Sequence, residues 1–471
     1  MSIHIISAGS SSIIQINMKC IIYLELNEIN KQELQINTTM FLSQGTQSFF
    51  LRKLNFFLIG ILFIALPNIV LAQHYDILLK GGHVIDPKNN ISSLMDVAIS
   101  DGVIAKVAEN IPDYGTDKVI DISGLYVSPG MINLHTHIFF GTQKDSDQMN
   151  SYRSVIPDNF SFRYGVTTMV DAGSAGWKNF QVFKDQTIKH SRTRILAFLR
   201  IVGEGSRGYT YSQNLNDMDS KMTALVARQH PEIVGLKIAH YRGQDWEPID
   251  RLIEAGKLAN KPVMVDFGSA DPPLSLETLF IEKFRPGDIY THIYGGNSTL
   301  NSGRESIMDK EGQVRPFVYQ AQDKGIIFDV GHGGGSFNFK YAIPAIEQGI
   351  KPNTISSDLH MSSLQSLGMQ DINSVLSKML NIGLSLDEVI EASTWKPAQV
   401  ISRKDLGHLS EGAVADIWVF SIREGNFGFV DVDDPPMKVM GTRRLESELT
   451  FFKGEIVWDF NGLSNENISN K

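Results

Sequence analysis

Two histidines close the apolar run Leu125-Tyr126-Val127-Ser128-Pro129-Gly130-Met131-Ile132-Asn133-Leu134-His135-Thr136-His137. The run is typical of a buried strand, in which successive side chains alternate between the two faces. His135 and His137 are two positions apart, so both imidazoles point to the same side. Two adjacent imidazoles at a strand end can chelate one divalent metal, whereas a chance pair of polar residues leaving a sheet is the simpler alternative.

The middle of the chain alternates strand-like and helical patterns. Helical periodicity covers Glu247–Ala259 and residues 314–324, among other segments. Eight β/α units in succession predict a (β/α)8 TIM-type barrel over residues 125–402, whose functional groups gather at the carboxyl ends of the strands. The eight strand-like runs are residues 127–137, 166–173, 194–202, 234–241, 262–268, 288–295, 326–333 and 354–360.

Short strands and turns flank this middle region on both sides. Asp101-Gly102 lies between two apolar runs and predicts a β-hairpin. The same pattern of short strands returns from Asp416 to Trp458. We therefore expect a small composite β-sandwich built from residues 73–124 and 403–463, with 464–471 as a tail. The predicted fold class is α/β, a metal-dependent barrel with this small sandwich domain.

Composition excludes several classes of protein. The chain has 471 residues, of which 42% are hydrophobic and 20% charged, as in an ordinary globular protein. A formal net charge of −9 and the lack of a basic stripe argue against nucleic-acid binding. The single cysteine, Cys20, excludes a thiolate site from the body of the protein. The expected partner is a small-molecule substrate, and a homo-oligomer remains open.

The N-terminal region is typical of an export signal. Arg52 and Lys53 precede the apolar residues 54–66, and Val70-Leu71-Ala72 offers the small residues of a cleavage site. A membrane anchor is the alternative, but the apolar run is short and is followed by Pro67-Asn68. We expect residues 1–72 to be a cleaved leader, of which 1–39 need not be translated. The mature protein would be periplasmic or extracellular, without a stable membrane anchor.

Metal-capable side chains recur at the predicted strand ends. Taken singly, a strand-end aspartate is often a helix cap and a lysine can extend to solvent. All these strand ends face one mouth of a barrel, so together they predict a metal site. A lysine inside the fourth strand is costly unless paired, neutralised or modified, and carboxylation by CO2 would make it an anionic ligand. The set is His135, His137, Lys237, Asp266, His292 and Asp358.

Other histidines have weaker context. His332 precedes a glycine-rich loop, and we expect His332, Gly333 and Gly334 to bind substrate oxygens. His360 follows Asp358 as a weaker candidate, and His240 is interpreted as structural or substrate-contacting. Surface or packing roles are expected for His74, His83, His190, His230 and His408.

Over nearly all of residues 75–460 the chain resembles the amidohydrolase superfamily. The segment 128–137 is similar to its strand-one motif, and 411–417 to the segment leading back into its sandwich. Within that superfamily the chain resembles most the bacterial deacetylase group often labelled dihydroorotase-like. The segments that carry this likeness are 170–176, 235–237, 285–288 and 328–333.

The resemblance implies a role for each candidate residue. His135 and His137 would hold the more buried metal, and carboxylated Lys237 would bridge to a second one. His292 would bind that second ion. Asp358 would contact the first metal and act as the general base. Zinc is the expected metal.

Asp266 departs from the pattern, because the family usually has histidine at the end of strand five. Aspartate is a legitimate zinc ligand, but it is shorter and adds negative charge. The second metal can therefore be shifted, weaker, of another kind or absent, so either one or two ions are expected.

The implied reaction is hydrolysis of an amide or ester in a small acylated carboxylic acid, by a metal-activated water. A dihydroorotase-like cyclic amide hydrolase is one alternative. Against it, Ile138-Phe139-Phe140 follows His137, where dihydroorotases place an arginine. The other alternative is a noncatalytic binding protein of the same fold, which predicts neither metal nor hydrolysis.

Overall fold

The computed structural model describes residues 74–142, 149–267, 270–296, 304–364, 366, 368 and 371–465, with the backbone of 2–8 and 11–17. The chain separates into two compact units, Met1–Ala72 and Gln73–Lys471. In the first unit, β1 (Ser2–Ala8) pairs antiparallel with β2 (Ser11–Asn17). The predicted signal segment and Cys20 lie outside the described residues. No helix in the described ranges is long and apolar enough to cross a membrane.

The second unit contains two sheets and a set of short helices. Its strands are β3 (Tyr75–Asp86), β4 (Ile91–Ser100), β5 (Val103–Ala108), β6 (Thr116–Asp121), β7 (Tyr126–Pro129), β8 (Met131–Thr136), β9 (Val166–Gly176), β10 (Arg194–Arg200), β11 (Ile233–Ala239), β12 (Val263–Asp266), β13 (Ile289–Tyr290), β14 (Ile327–Phe328), β15 (Ile417–Val430), β16 (Lys438–Phe452) and β17 (Glu455–Asp459). Its α-helices are Phe180–Phe183, Ser220–Gln229, Glu247–Ala259, Pro316–Lys324, Phe339–Glu347, Ile372–Asn381, Leu386–Ser393 and Trp395–Val400.

Strands β8 to β14 form one parallel sheet in sequence order. The eighth run completes this ring through single bridges instead of a strand. Thr354 pairs with Asp329 on one side, and Leu359 pairs with Thr136 on the other. The amide of His137 also donates to the carbonyl of Leu359. The predicted α/β class with a barrel-like parallel sheet is confirmed.

Gly130 divides the run that was expected to form a single first strand. Residues before it, in β7, pair with β3 and β15, whereas β8 after it pairs with β9 in the barrel. A Cβ at Gly130 would lie 2.4 Å from the Thr167 side chain. The chain can change sheets here because glycine allows this close approach. The strand that carries His135 is therefore shorter than predicted, and His137 directly follows it.

Strands from both ends of the second unit share the other sheet, in the order β17-β16-β15-β7-β3-β4-β5, with β6 beside β3. The sheet is mostly antiparallel and encloses a separate apolar core that includes Leu79, Val97, Ile417 and Phe451. β7 lies within the predicted barrel range but belongs to this sheet, because it joins β15 to β3. The expected hairpin at Asp101-Gly102 is present, and both residues have positive φ.

The helix Glu247–Ala259 has the bounds that its periodicity predicts. Ile249, Leu252 and Ile253 are buried on one face, at the spacing of an amphipathic helix. The helix ends at Asn260, which adopts the left-handed conformation common at helix ends. The predicted helix at 314–324 begins two residues later, at Pro316, whose fixed φ suits a first turn.

Candidate metal centre

Two histidines and an aspartate converge at the end of the first barrel strand. The Nε2 atoms of His135 and His137 each lie 3.3 Å from Oδ1 of Asp358. Each of the three residues offers one ligand atom, and these atoms lie within 4.8 Å of one another. Two imidazole nitrogens and a carboxylate oxygen are a donor set that zinc accepts. The residues present therefore fit one divalent metal.

A chain of buried hydrogen bonds orients His135. Its Nδ1 lies 3.0 Å from the hydroxyl oxygen of Thr291, and that hydroxyl donates to Asp329 at 2.8 Å. Thr354 and Ser356 also donate to the Asp329 carboxylate. Because the Thr291 proton goes to Asp329, Thr291 accepts from Nδ1 and leaves the Nε2 lone pair free for a metal. Burial, followed by nearby Lys237, lowers the pKa of His135 well below its ordinary value.

His137 is oriented by a second polar cluster. Its Nδ1 lies 3.1 Å from the Ser174 hydroxyl. The amides of Ser174 and Ile138 both donate to the buried carboxylate of Asp171. Burial raises the pKa of Asp171, against the effects of His137 and these two amides. Asp171 thus fixes the backbone of Ile138, which follows His137 in the chain, and of Ser174, whose hydroxyl contacts the His137 ring.

Lys237 is completely buried in β11 and points towards His135. Its Nζ lies 2.6 Å from Nε2 of His135, which is its only hydrogen-bond partner within the described residues. Burial lowers the pKa of Lys237 to about 8, although Asp266 and Asp358 act in the opposite direction. Gly173 leaves room for this side chain, since a Cβ there would be 3.2 Å from Cβ of Lys237.

Asp266 and His292 also contact each other, but Asp266 forms an ion pair with a buried arginine as well. Oδ1 of Asp266 is 3.4 Å from Nε2 of His292 and 2.9 Å from Nη2 of Arg304. Arg304 is buried and also donates from Nε to the carbonyl of Phe267. Burial would raise the pKa of Asp266, but His292, His240 and Arg304 together hold it well below its usual range.

Asp358 has an unusual backbone conformation. Its φ is +47°, in the left-handed region. Gly333, which packs against the Asp358 side chain, has a φ of +56°. A Cβ on Gly333 would lie 2.4 Å from Oδ2 of Asp358, so only glycine leaves space for that oxygen. Burial acts to raise the pKa of Asp358, but His135, His360 and the hydrogen bond from His137 hold it well below its ordinary value.

We expected His332 to contact substrate, but it is not among the residues that line the cavity. Its ring is fully buried and stacks on Phe337, with Nδ1 at 2.9 Å from the carbonyl of Gly333 and Nε2 at 2.8 Å from Nζ of Lys378. Both ring nitrogens are thus occupied by protein groups, so this arrangement does not support substrate contact by His332. Burial lowers the pKa of Lys378 to about 7, with Asp431 and Asp371 opposing it. His332 instead supports the loop beside Asp358.

A cavity of about 370 Å³ opens over these groups. Of the predicted residues, His137, Asp266, His292, Asp358 and Gly334 line it, whereas His135 and Lys237 lie buried beneath. Sequence reasoning missed Arg153 and Arg304, which follow no motif. The other lining residues are Tyr152, Ser206, Gly208, Tyr209, Ser212, His240, Gly335, Ser336, His360 and Ser362.

Comparison with known proteins identifies the family. The amidohydrolase family model matches residues 338–457. A deacetylase from Agrobacterium fabrum is 33% identical over 353 residues, which cover 73% of this chain and 82% of the relative. This chain belongs to the amidohydrolase family.

Two solved structures extend the likeness of this amidohydrolase to three dimensions. A crystal structure described as an adenine deaminase superposes with a TM-score of 0.71 at 26% identity, covering 82% of this chain and 100% of that one. One described as a dihydroorotase gives 0.68 at 30% identity, covering 81% and 99%. The amidohydrolase is a hydrolase acting on carbon–nitrogen bonds, as the sequence predicts, and its superfamily is metal-dependent.

Proposed function

We propose that this amidohydrolase is a metal-dependent deacylase that removes a small acyl group from an N- or O-acylated carboxylic acid. The observation that carries the proposal is the convergence of His135, His137 and Asp358 on one point beside the cavity. The relatives named deacetylase support the reaction class.

His135, His137 and Asp358 would hold the metal, and we propose zinc. A divalent ion there supplies Lewis-acid catalysis, which stabilises charge on the acyl oxygen in the transition state. The neutral state of His135 suits this role, because only an unprotonated ring nitrogen can be a ligand.

Asp358 is the proposed general base. Its low pKa keeps the carboxylate ionised at neutral pH, so Oδ2 can take a proton from the attacking water. The same atom can then return that proton to the leaving nitrogen or oxygen. His360 Nε2 lies 3.7 Å from Oδ2 and, as a cavity-lining residue, is placed to orient it.

Lys237 is the proposed site of carboxylation. A lysine with a pKa of about 8 is partly uncharged at neutral pH, and the neutral amine is the form that attacks CO2. The new N–C bond forms as one proton leaves the nitrogen, which gives an anionic carbamate. We expect Lys237→Ala to lose activity and short-chain carboxylic acids to restore part of it. Full activity in Lys237→Ala without added acid would contradict this role.

The cavity suits a small anionic acyl acid. Arg153 brings a cationic side chain to its lining, and Gly334 and Gly335 bring backbone. The side chain of Arg153 is exposed and stacks on Tyr152 at the cavity wall, where it can meet an entering carboxylate. Guanidinium groups bind carboxylates through paired hydrogen bonds.

A screen of acylated acids tests the proposal. We would load the protein with zinc and bicarbonate and assay N-acetyl and O-acetyl acids alongside their uncharged amides and esters. Hydrolysis of the acids, and a loss of about 10²–10⁴-fold in Asp358→Asn with metal still bound, is expected for a general base. Metal-loaded protein that hydrolyses none of the panel would overturn the deacylase proposal.

A dihydroorotase-like activity is the second candidate, favoured by the structural match to a protein described as a dihydroorotase. Against it, the residues that follow His137, Ile138 and Phe139, are apolar and buried. They bring no cation to the cavity, whereas dihydroorotases have an arginine here. Including a cyclic ureide in the same screen distinguishes the two activities.

We propose as well that residues 1–72 direct export and are removed. Expression of the full sequence with recovery of the exported protein tests this, because N-terminal sequencing should then begin near Gln73. Recovery of uncleaved chain from the cytoplasm alone would contradict it.

A further inference from the structure

Arg304 is the feature of the centre that neither the sequence pattern nor the deacylase mechanism uses. Its side chain is 3% exposed, and it lines the cavity. Two of its nitrogens donate to protein groups, Nη2 to Asp266 and Nε to the Phe267 carbonyl. Burying a guanidinium carries a large desolvation cost, and the ion pair with Asp266 offsets part of that cost.

The arginine engages the oxygen that a second metal would need. Oδ1 of Asp266 faces Nε2 of His292 at 3.4 Å, and these are the two atoms expected to ligate a second ion. That same Oδ1 accepts from Nη2 of Arg304 at 2.9 Å. A divalent cation bound between Asp266 and His292 would be placed against a fixed positive charge in a buried environment.

The geometry around Asp266 also differs from that of the first site. His135, His137 and Asp358 bring their ligand atoms within 4.8 Å of one another. Among the residues that the structure describes, Asp266 belongs to no such group of three histidine, cysteine or acidic side chains, although His240 is 3.9 Å from its Oδ2. Asp266 is arranged as the partner of an arginine.

Gly295 makes space for that arrangement. A Cβ on Gly295 would lie 2.5 Å from Nη1 of Arg304, so a larger residue would displace the guanidinium. The chain thus combines three local features at one position. They are an aspartate at the end of β12, an arginine that reaches it, and a glycine that leaves room for the arginine.

We propose that Arg304 takes the place of a second metal ion, so that this amidohydrolase binds one divalent ion and uses the Arg304 guanidinium as the second positive charge of its centre. The inference rests on the proposed function only through the metal site formed by His135, His137 and Asp358. It makes no use of the substrate or of the reaction.

The test is metal content, measured independently of activity. Purified protein is equilibrated with excess zinc and bicarbonate, freed of unbound metal by gel filtration, and analysed for zinc per folded chain. We expect about one zinc in the natural protein and about two in Arg304→Gln, because the uncharged side chain releases Asp266 to act as a ligand. Arg304→Lys keeps the positive charge and should stay at about one.

Two further variants control for damage to the fold. Arg315→Gln breaks another arginine–carboxylate pair, with Glu305, and should leave the zinc content unchanged. If circular dichroism shows that Arg304→Gln is unfolded, the double variant Asp266→His with Arg304→Gln removes both buried charges and should bind two ions.

The outcomes separate this inference from the proposed function. Two zinc ions in the natural protein, or one in folded Arg304→Gln and in the double variant, would overturn the replacement of a metal by Arg304. Hydrolysis with two ions bound would overturn the inference and leave the deacylase proposal standing. One zinc in the natural protein and two in Arg304→Gln would support the inference even if no substrate were hydrolysed.

Discussion

The hydroxyl of Thr291 bridges His135 Nδ1 and the Asp329 carboxylate, whose nearest oxygen is 4.0 Å from that nitrogen, so Thr291→Val tests how much this hydrogen-bonded bridge contributes to metal affinity. Valine has nearly the same shape and removes one oxygen. Thr291 is fully buried, and water cannot replace the lost hydroxyl without a cavity. The Nδ1–H of His135 then has no acceptor within hydrogen-bond distance, because Asp329 Oδ2 is 4.0 Å away, and the tautomer of the ring is no longer fixed.

The size of the effect follows from the two interactions that are lost. Leaving a buried donor unsatisfied costs about 1–3 kcal/mol of folding stability. Losing a group that orients a metal-binding histidine typically lowers metal affinity by about 10–100-fold, which corresponds to about 1.4–2.7 kcal/mol. We therefore expect Thr291→Val to bind zinc about 10–100-fold more weakly.

Thr354→Val is the matched control. Thr354 also donates a hydroxyl to Asp329, at 2.7 Å, but it does not contact His135. Both variants should lose similar stability in urea unfolding, and only Thr291→Val should lose zinc affinity in competition with a fluorescent chelator. Equal zinc affinities for the two variants would refute the argument that Thr291 sets the tautomer of His135.

Three other substitutions test single features of the structure. Gly333→Ala puts a Cβ 2.4 Å from Oδ2 of Asp358 and should lower kcat by about 10²-fold through misplacement of the base, with urea stability as the control. Gly165→Ala should cost about 2–4 kcal/mol in urea unfolding, since its φ is +79° and its Cβ would lie 2.2 Å from Trp418. Lys378, with a pKa lowered to about 7, holds fewer protons in the folded than in the unfolded state above that pH, so stability rises with pH from about 7 towards 10. Lys378→Met should remove about 1.4 kcal/mol per pH unit from that slope, and an unchanged slope would show that Lys378 is charged in the fold.

The fold was predictable because its signals are repetitive. Eight strand-like runs separated by helical periodicity specify a barrel even when individual elements are weak, as with β13 and β14, which have two residues each. The division of the first run at Gly130 was not predictable, since a glycine after Pro129 reads equally well as a local irregularity within one strand. The strand pairing on either side of Gly130 shows that the chain changes sheets, and the closeness of Thr167 explains why a glycine stands there.

The part of the candidate site that lies in or at the carboxyl ends of the barrel strands was predictable from the sequence. The structure brings His135, His137 and Asp358 together, and it places Lys237 beside His135 and Asp266 beside His292. The orientation of His332 could not be foreseen, because it depends on Lys378 from a distant helix. Arg304 lies in a connection without periodicity, and its contact with Asp266 depends on tertiary structure alone. The metal-ligand roles themselves stay predictions.

The residues that violate ordinary rules of folding lie together in this protein. Lys237 is a lysine with no exposed surface, Asp358 is a non-glycine residue with positive φ, and Arg304 is a buried guanidinium. Each costs stability by itself, so the surrounding barrel must hold all of them against relaxation. A metal at His135 and Asp358 would offset part of this cost, because binding to the folded state alone stabilises it. The stability of the folded state would then depend on the bound ion. A chain that lost the ion would keep the cost of these residues without the stabilisation that metal binding provides.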